Sequence, residues 1–454
     1  MARSQIKKAT VSPLQRCRNF LAGQVLLFRF LFVDGWRLLA EVGSAWDNSE
    51  SSAELSGSAD SRMWVRLSRD VVDGYNRRYE ATRLQLRDLV HNRGHFVGQY
   101  VVPLFIVRIA TVVAAAFFGF GTTLVVSLLQ FVVAPYSLFA AIAAWIGVVP
   151  YLIMHFATFA IVQTATGALY AYIPIIGHFA RIPITVTLIA IWFLLDQFTC
   201  VLLCFWSPWG KPVRVSPGRM LQSIWYGFIN AKTYWLILLL CLRGFHIDVL
   251  ALALVAFMPS IMRRVSNRVF RLVLPPRTAH WTFPSVMFYH YHRMVHLPGP
   301  YNEAHRHHHY LADATPFDAH MTGTGMPEEW LKLFTEIGLC LATGIVPWSF
   351  SLPMILQSAD NKYGHTRLEG EHPAHDNFHV NHHLKHFRNF GFAGFPLDLL
   401  FDTALGDVSR LDHKAASRTR CVKETSDEHY VLVFESPGTG SPVATSDLLA
   451  APPH

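Results

Sequence analysis

Apolar residues in this chain gather into long blocks instead of the short periodic runs that build a soluble core. Between Tyr100 and Trp209 only Arg108, Arg181 and Asp196 carry formal charge. A helix that crosses a bilayer needs about 20 apolar residues. The block therefore predicts spans near 101–118, 122–147, 151–177 and 184–206, with a fifth near 234–258. The fifth contains Arg243, His246 and Asp248, so a bent, interfacial or functionally polar segment is expected there. A last apolar stretch, 331–357, is interrupted by Pro347 and Pro353 and suits a re-entrant hairpin as well as a simple span.

The flanks are patterned differently. Residues 1–33 carry Arg3, Lys7, Lys8, Arg16, Arg18 and Arg29, with no acid before Asp34. Their apolar run, 20–33, is short for a span and suits either a targeting segment or a surface-lying helix. Residues 47–61 are small, polar and acidic, as in a linker. Trp64, Leu67, Val71, Tyr75 and Tyr79 then recur at helical spacing, with Arg62, Arg66, Arg69, Arg77 and Arg78 on other faces. That pattern predicts an amphipathic helix, lying on an anionic membrane surface or packed on the protein itself. The chain thus divides into a basic N-terminal region (1–99), membrane helices (100–258), a histidine-rich region (259–410) and a tail (411–454). The tail ends in a Pro-, Gly- and Ser-rich stretch and is expected to be disordered.

Composition agrees with the membrane reading: of 454 residues, 52% are hydrophobic and 15% charged, against about 25% charged in soluble chains. The net charge of +8 is placed beside the apolar blocks, with Lys211, Arg214 and Arg219 after one and Arg263, Arg264, Arg268, Arg271 and Arg277 after the next. Such a bias puts the region that follows on the cytosolic side and argues against a nucleic-acid partner. Six scattered cysteines without a CxxC pair give no sign of a disulfide framework.

The chemistry lies in histidine. Of 24 in the chain, 15 fall between His290 and His386. They are spaced as His292-Arg-Met-Val-His296, His305-Arg-His307-His308-His309 and His379-Val-Asn-His382-His383. Residues three and four apart share a helix face, so each cluster can aim its imidazoles at one point. The combined donor set exceeds one ion's needs and suits a pair of metals, with iron, zinc, copper and nickel all compatible with imidazole. Three functions fit: metal-dependent oxygen attack on a lipid C–H bond, metal-assisted hydrolysis, and metal transport or storage. Hydrolytic sites usually mix carboxylates with histidine, and no Asp or Glu falls within the three motifs. Transport would put ionisable groups inside the spans, whereas these clusters lie after them.

Region 290–407 resembles the fatty acid hydroxylase/sterol desaturase superfamily of integral-membrane non-haem diiron enzymes. His292–His296 match its HRxxH, and His305–His309 match its H[KR]xHH after the short gap that separates this family from acyl desaturases. The last box, usually HDxHH, is matched at 379–383, except that Val380 stands at the Asp position. Asn389-Phe390-Gly391 follows, and the family's closing WDxxFGT is echoed at 397–403 with Asp402 in place of Gly. Single histidines between the second and third boxes are matched best by His320 and His365, with His372 and His375 competing for the latter's place.

The resemblance implies an all-α fold: a multi-span transmembrane helical protein whose cytosol-facing, histidine-rich helical cap holds a dimetal site. It implies ten ligands to two iron ions: His292, His296, His305, His308, His309, His320, His365, His379, His382 and His383. His307, His372, His375 and His386 would then stand beside the ligands or at the surface. Glu303, Asp313, Asp318 and Asp376 are the candidate acids to support them. The implied reaction is oxygen-dependent hydroxylation or desaturation of a lipid such as a fatty acyl chain or sterol. No GxGxxG follows a strand, so electrons are expected from an external donor such as cytochrome b5 or a reductase system. The implied location is multi-pass and, in a eukaryote, the endoplasmic reticulum membrane. The alternatives from other classes are a non-oxidative dimetal lipid hydrolase and a catalytically silent membrane metal-binding protein.

Overall fold

The computed structural model describes residues 12–56, 63–90, 95–205, 211–212, 216–227, 233–257, 282–310, 315–317, 326–344, 365, 368–369, 378–391, 397–405 and 420–435. The fold is mostly helical, as the apolar blocks predict. Among the described residues one helix, Val97–Phe117, is long and apolar enough to cross a membrane.

The other expected spans are cut differently. The segment 122–147 breaks into Phe120–Ser127 and Gln130–Val133 before a new helix starts at Ser137. That helix, Ser137–Tyr172, runs unbroken for 36 residues through the boundary expected at 147–151. The predicted fifth span splits at its polar trio into Thr233–Cys241 and Val249–Phe257, with Gly244 at φ 89 between them. Asp248 explains the break: its carboxylate accepts from Thr166 Oγ1 (2.8 Å) and Tyr170 Oη (2.6 Å) and caps the next helix at the Ala251 amide (2.9 Å). The start of the 331–357 stretch forms the helix Met326–Thr343, which packs along Ser137–Tyr172; Pro347 and Pro353 lie outside the described residues.

The amphipathic element predicted from Trp64 begins later and is packed on the protein. Residues Met63–Ser68 are a strand; the helix is Arg69–Leu89, capped by Ser68 Oγ at the Val71 amide (3.4 Å). Its face of Val72, Tyr75, Tyr79 and Leu86 is buried in the core. The tail also departs from expectation. Strands Arg420–Thr425 and His429–Glu435 form a hairpin, and the second pairs antiparallel with Met63–Ser68.

Two cores result. One surrounds the helix Thr282–Val295, gathering Leu27 and Phe30 from the N-terminal helix, Tyr75 and Tyr79, then Phe390, Phe401 and Leu432. Within it Arg293 is buried, bonded to Asn76 Oδ1 (2.7 Å) and lying 3.9 Å from the Tyr79 ring centroid. Ring faces and an amide oxygen thus take the place of a carboxylate. The second core joins Thr233–Cys241, Val186–Phe205 and Met326–Thr343 through Ile189, Leu238, Leu333 and Ile337.

Candidate metal centre

The three histidine motifs are carried by chain segments that all point into one place. His292 ends the helix Thr282–Val295, and His296 follows one turn later. Gly299, at φ 98, then reverses the chain so that Pro300–Glu303 and the short 3-10 turn His305–His307 fold back beside it. A side chain at 299 would be strained by its dihedral and by Tyr136, whose ring lies 3.0 Å from an ideal Cβ. The reversal is pinned from outside: Glu303 Oε2 accepts the backbone amides of Tyr136 (2.5 Å) and Ser137 (3.1 Å) at the start of the long helix. The third motif sits on the helix Phe378–Lys385, where positions 379, 382 and 383 share a face.

Nine of the ten expected ligands come together in two groups. His292, His296, His305, His309 and His382 form one, and His308, His365, His379 and His383 the other; within each, one nitrogen per ring lies within 4.8 Å of the rest. The second and third motifs each contribute to both groups. His309 and His383 join the groups, with ring centroids 4.5 Å apart. His320, and the competing His372 and His375, lie outside the described residues, as do Asp313, Asp318 and Asp376.

The nitrogens are spaced as a coordination shell requires. Pairs of Nε2 atoms approach at 3.1 Å (His296 and His382; His305 and His309), 3.3 Å (His308 and His379), 3.0 Å (His365 and His379) and 3.2 Å (His379 and His383). Two nitrogens bound at about 2.0–2.1 Å to one ion, at angles between square and tetrahedral, lie roughly 2.9–3.4 Å apart. The opposite ring nitrogens fix the tautomer. His292 Nδ1 donates to the Phe390 carbonyl (2.8 Å) and His382 Nδ1 to the Arg388 carbonyl (2.6 Å). His305 Nδ1 donates to Glu328 Oε1 (3.2 Å), whose other oxygen takes the Tyr291 hydroxyl (3.1 Å). Each of these bonds leaves an Nε2 lone pair facing the group. Lone pairs crowded at such distances repel one another, and a cation among them relieves that repulsion.

Burial acts the same way. It is the largest cause holding His292 and His305 down to about 3, with neighbouring histidines adding to it. His296, His308, His309, His379, His382 and His383 are likewise well below the ordinary value of 6.5. The imidazoles are therefore neutral at physiological pH, the form that binds metal. His296, His309 and His383 also keep a buried Nδ1 without a hydrogen-bond partner. The donor set fits metal ions, and it contains no carboxylate among the nine.

The residues that follow the third motif hold its carbonyls in place. His386 (φ 53) and Asn389 (φ 57) turn the chain back with left-handed backbones. Asn389 is locked to Leu405 through Oδ1 (2.6 Å), and Asp398 accepts the amides of Phe390 (2.7 Å) and Gly391 (2.5 Å). Thr403 Oγ1 donates to the same carboxylate (2.7 Å). Asn389-Phe390-Gly391 and the 397–403 motif are thus one clamp, which presents the Arg388 and Phe390 carbonyls to His382 and His292. Asp402 stands at φ 59, a backbone that favours glycine.

Two expectations about supporting acids change. Glu303 bonds the Tyr136 and Ser137 amides and, among the described residues, shares no hydrogen bond with a ligand. Glu328 is the carboxylate that meets a ligand, and the sequence offered little sign of it beyond an acidic pair opening an apolar helix. His307 is buried against Phe96 (ring centroids 5.0 Å), and His386 bonds the Tyr301 hydroxyl through Nδ1 (2.7 Å). Both stand outside the two groups. No protein-family model, curated protein or solved structure matches this chain.

Proposed function

We propose that this protein is a membrane-bound diiron oxygenase that hydroxylates or desaturates a lipid chain, a fatty acyl group or sterol being the class in view. The observation that carries the reading is the pair of adjoining all-imidazole groups, buried beside the end of an apolar helical bundle. Neutral nitrogen donors without carboxylates suit a redox-active first-row metal better than the carboxylate-rich sites of hydrolases. The resemblance of the HRxxH and H[KR]xHH motifs to those of the fatty acid hydroxylase/sterol desaturase superfamily favours two irons within that choice. Bound there, the irons would supply reduction of dioxygen and abstraction of a substrate hydrogen.

The chain's own residues do the rest. His292, His296, His305, His309 and His382 would hold one ion, and His308, His365, His379 and His383 the other; His320, outside the described residues, is the remaining donor that the resemblance implies. Glu328 and the carbonyls of Arg388 and Phe390 hold the Nδ1 protons of His305, His382 and His292, keeping each Nε2 free. Phe390 and Phe288 pack their rings against His292, with centroids 5.6 and 5.5 Å away, and give that ligand an apolar cover. A multi-pass bundle, in which Ser137–Tyr172 and its neighbours cross the bilayer with Val97–Phe117, brings an apolar substrate to the cap sideways. Electrons come from an external carrier, cytochrome b5 or a reductase, at the cytosolic face, and the endoplasmic reticulum is the fitting membrane in a eukaryote.

The test is metal analysis of purified protein together with lipid profiling of a host expressing wild type or His382→Ala/His383→Ala. The expected result is about two irons per chain and a lipid that gains oxygen, or loses hydrogen, in the wild type alone and only with oxygen present. Protein holding only zinc and turning over lipid anaerobically would establish the hydrolase instead.

A further inference from the structure

The N-terminal helix presents an uncovered apolar row. In Pro13–Phe28 and the π-helical turn Arg29–Asp34 that continues it, Gly23, Leu27, Phe30 and Leu31 face the protein core. The opposite side is open. Leu14, Leu21, Val25, Phe28, Phe32 and, just into the next helix, Trp36 are exposed, with Leu21, Val25, Phe28 and Trp36 each above half of full exposure. Their steps of seven, four, three, four and four residues keep them in one row, which extends about 30 Å at 1.5 Å per residue. Single exposed apolar residues are ordinary; a continuous row of this length marks a surface that something covers.

Charge identifies the cover. Arg16, Arg18 and Arg29 are exposed along the same segment, whereas Arg37, farther on, shares a pocket with Glu41 and Asp70. The one acid between residues 12 and 40, Asp34, is buried and paired with Arg78 at 2.6 Å. The apolar row and a segment with more arginines than acids together match acyl chains below anionic headgroups. Position agrees with charge. Gly23 lies against Tyr136, whose hydroxyl would sit 2.8 Å from an added Cβ, and Phe20 packs on the Tyr136 ring at 5.4 Å. Two residues earlier, Ala134 packs with Tyr100 and Leu104 at the start of the apolar helix Val97–Phe117. The row therefore runs past the point where the apolar bundle begins, which is where a bilayer boundary falls.

We infer that residues 14–36 form an in-plane helix whose exposed row is seated in the lipid of the bilayer interface. Tyr136 links this seat to the metal centre, because Glu303 holds the Tyr136 amide two residues before His305. The helix thereby fixes the depth of the histidine groups at the hydrocarbon boundary, within lateral reach of acyl chains. The inference rests on the membrane reading but not on the oxygenase chemistry.

Full-length wild-type protein in vesicles of phosphatidylcholine and phosphatidylserine, doped with a phospholipid bearing a diazirine near its headgroup end, provides the test. After illumination, lipid adducts are mapped by mass spectrometry. Adducts are expected at Leu21, Val25, Phe28 and Phe32, and also at Ile106, Val113 and Phe117, which are exposed on the apolar helix. A Val25→Asp/Phe28→Asp variant should lose the first set and keep the second. Adducts on the apolar helix alone, or chain-to-chain crosslinks at the row in place of lipid, would overturn the inference and leave the membrane reading standing. Adducts at neither set would overturn both.

Discussion

The support of the ligands is concentrated in a few atoms. Glu328 is the carboxylate that meets a ligand among the described residues, and its second oxygen is already taken by Tyr291. Replacing it by Gln keeps the shape but offers His305 an ambiguous partner; loss of such support typically weakens metal binding 10–100-fold. Glu328→Gln should therefore lower metal affinity by about that factor with helix content unchanged, as read by metal competition titration and circular dichroism. Undiminished affinity would remove Glu328 from the centre. Proton linkage gives a second expectation. The buried imidazoles have folded values below 6.5, as with about 3 at His292 and His305, so the unfolded chain protonates first as pH falls. Their contribution to stability is complete above about pH 6.5 and is lost progressively toward pH 3. Glu303, raised to about 8 by burial, and Asp398, also raised, run the opposite way. With His290 and His386 also lowered, the imidazoles outweigh the two carboxyls, so the melting midpoint of metal-free protein should fall between pH 7.5 and 5. These histidines were legible in the sequence because their spacing is a helix period. Glu328 was not, because nothing local distinguishes a ligand's partner from an ordinary acid in a helix's first turn.

At the scale of elements, the gap between the first two motifs is a folded device. Gly299 at φ 98 permits the reversal, and an added Cβ would press on the Tyr136 ring at 3.0 Å. Gly299→Ala should destabilise the protein by roughly 1–3 kcal/mol from backbone strain alone, with part of the metal lost at temperatures the wild type tolerates. Differential scanning fluorimetry with and without added iron measures both effects. An unchanged midpoint would mean that the turn is set elsewhere. Sequence pattern identified apolar helices well and their ends poorly. Hydropathy cannot distinguish the unbroken Ser137–Tyr172 helix from two spans meeting at 147–151, since both are apolar throughout. The break at Asp248 depends on Thr166 and Tyr170, which are about 80 residues away and invisible to any local window.

Across the whole molecule, the sequence placed the centre but not its closure. The hairpin Arg420–Thr425 and His429–Glu435 lies in a stretch read as disordered, because its flanking Pro-, Gly- and Ser-rich residues dominate composition while its partner strand is far away. It touches the clamp behind the histidine groups: Lys423 Nζ donates to the Leu400 carbonyl (3.1 Å) and pairs with Asp402 (2.7 Å). Ending the chain at residue 410 should thus lower the melting midpoint and loosen the 386–405 loop, seen as faster amide exchange there, while Ser137–Tyr172 stays protected. Equal exchange rates in both proteins would make the hairpin an appendage. Its pairing also sets an order of events during synthesis. Strand Met63–Ser68 leaves the ribosome some 360 residues ahead of its partner His429–Glu435, a wait of roughly 20–70 s at 5–20 residues per second. For that interval the nascent chain carries an unpaired strand edge, the kind of surface chaperones occupy. The hairpin, translated after all three histidine motifs, is then the segment that braces the clamp behind the histidines.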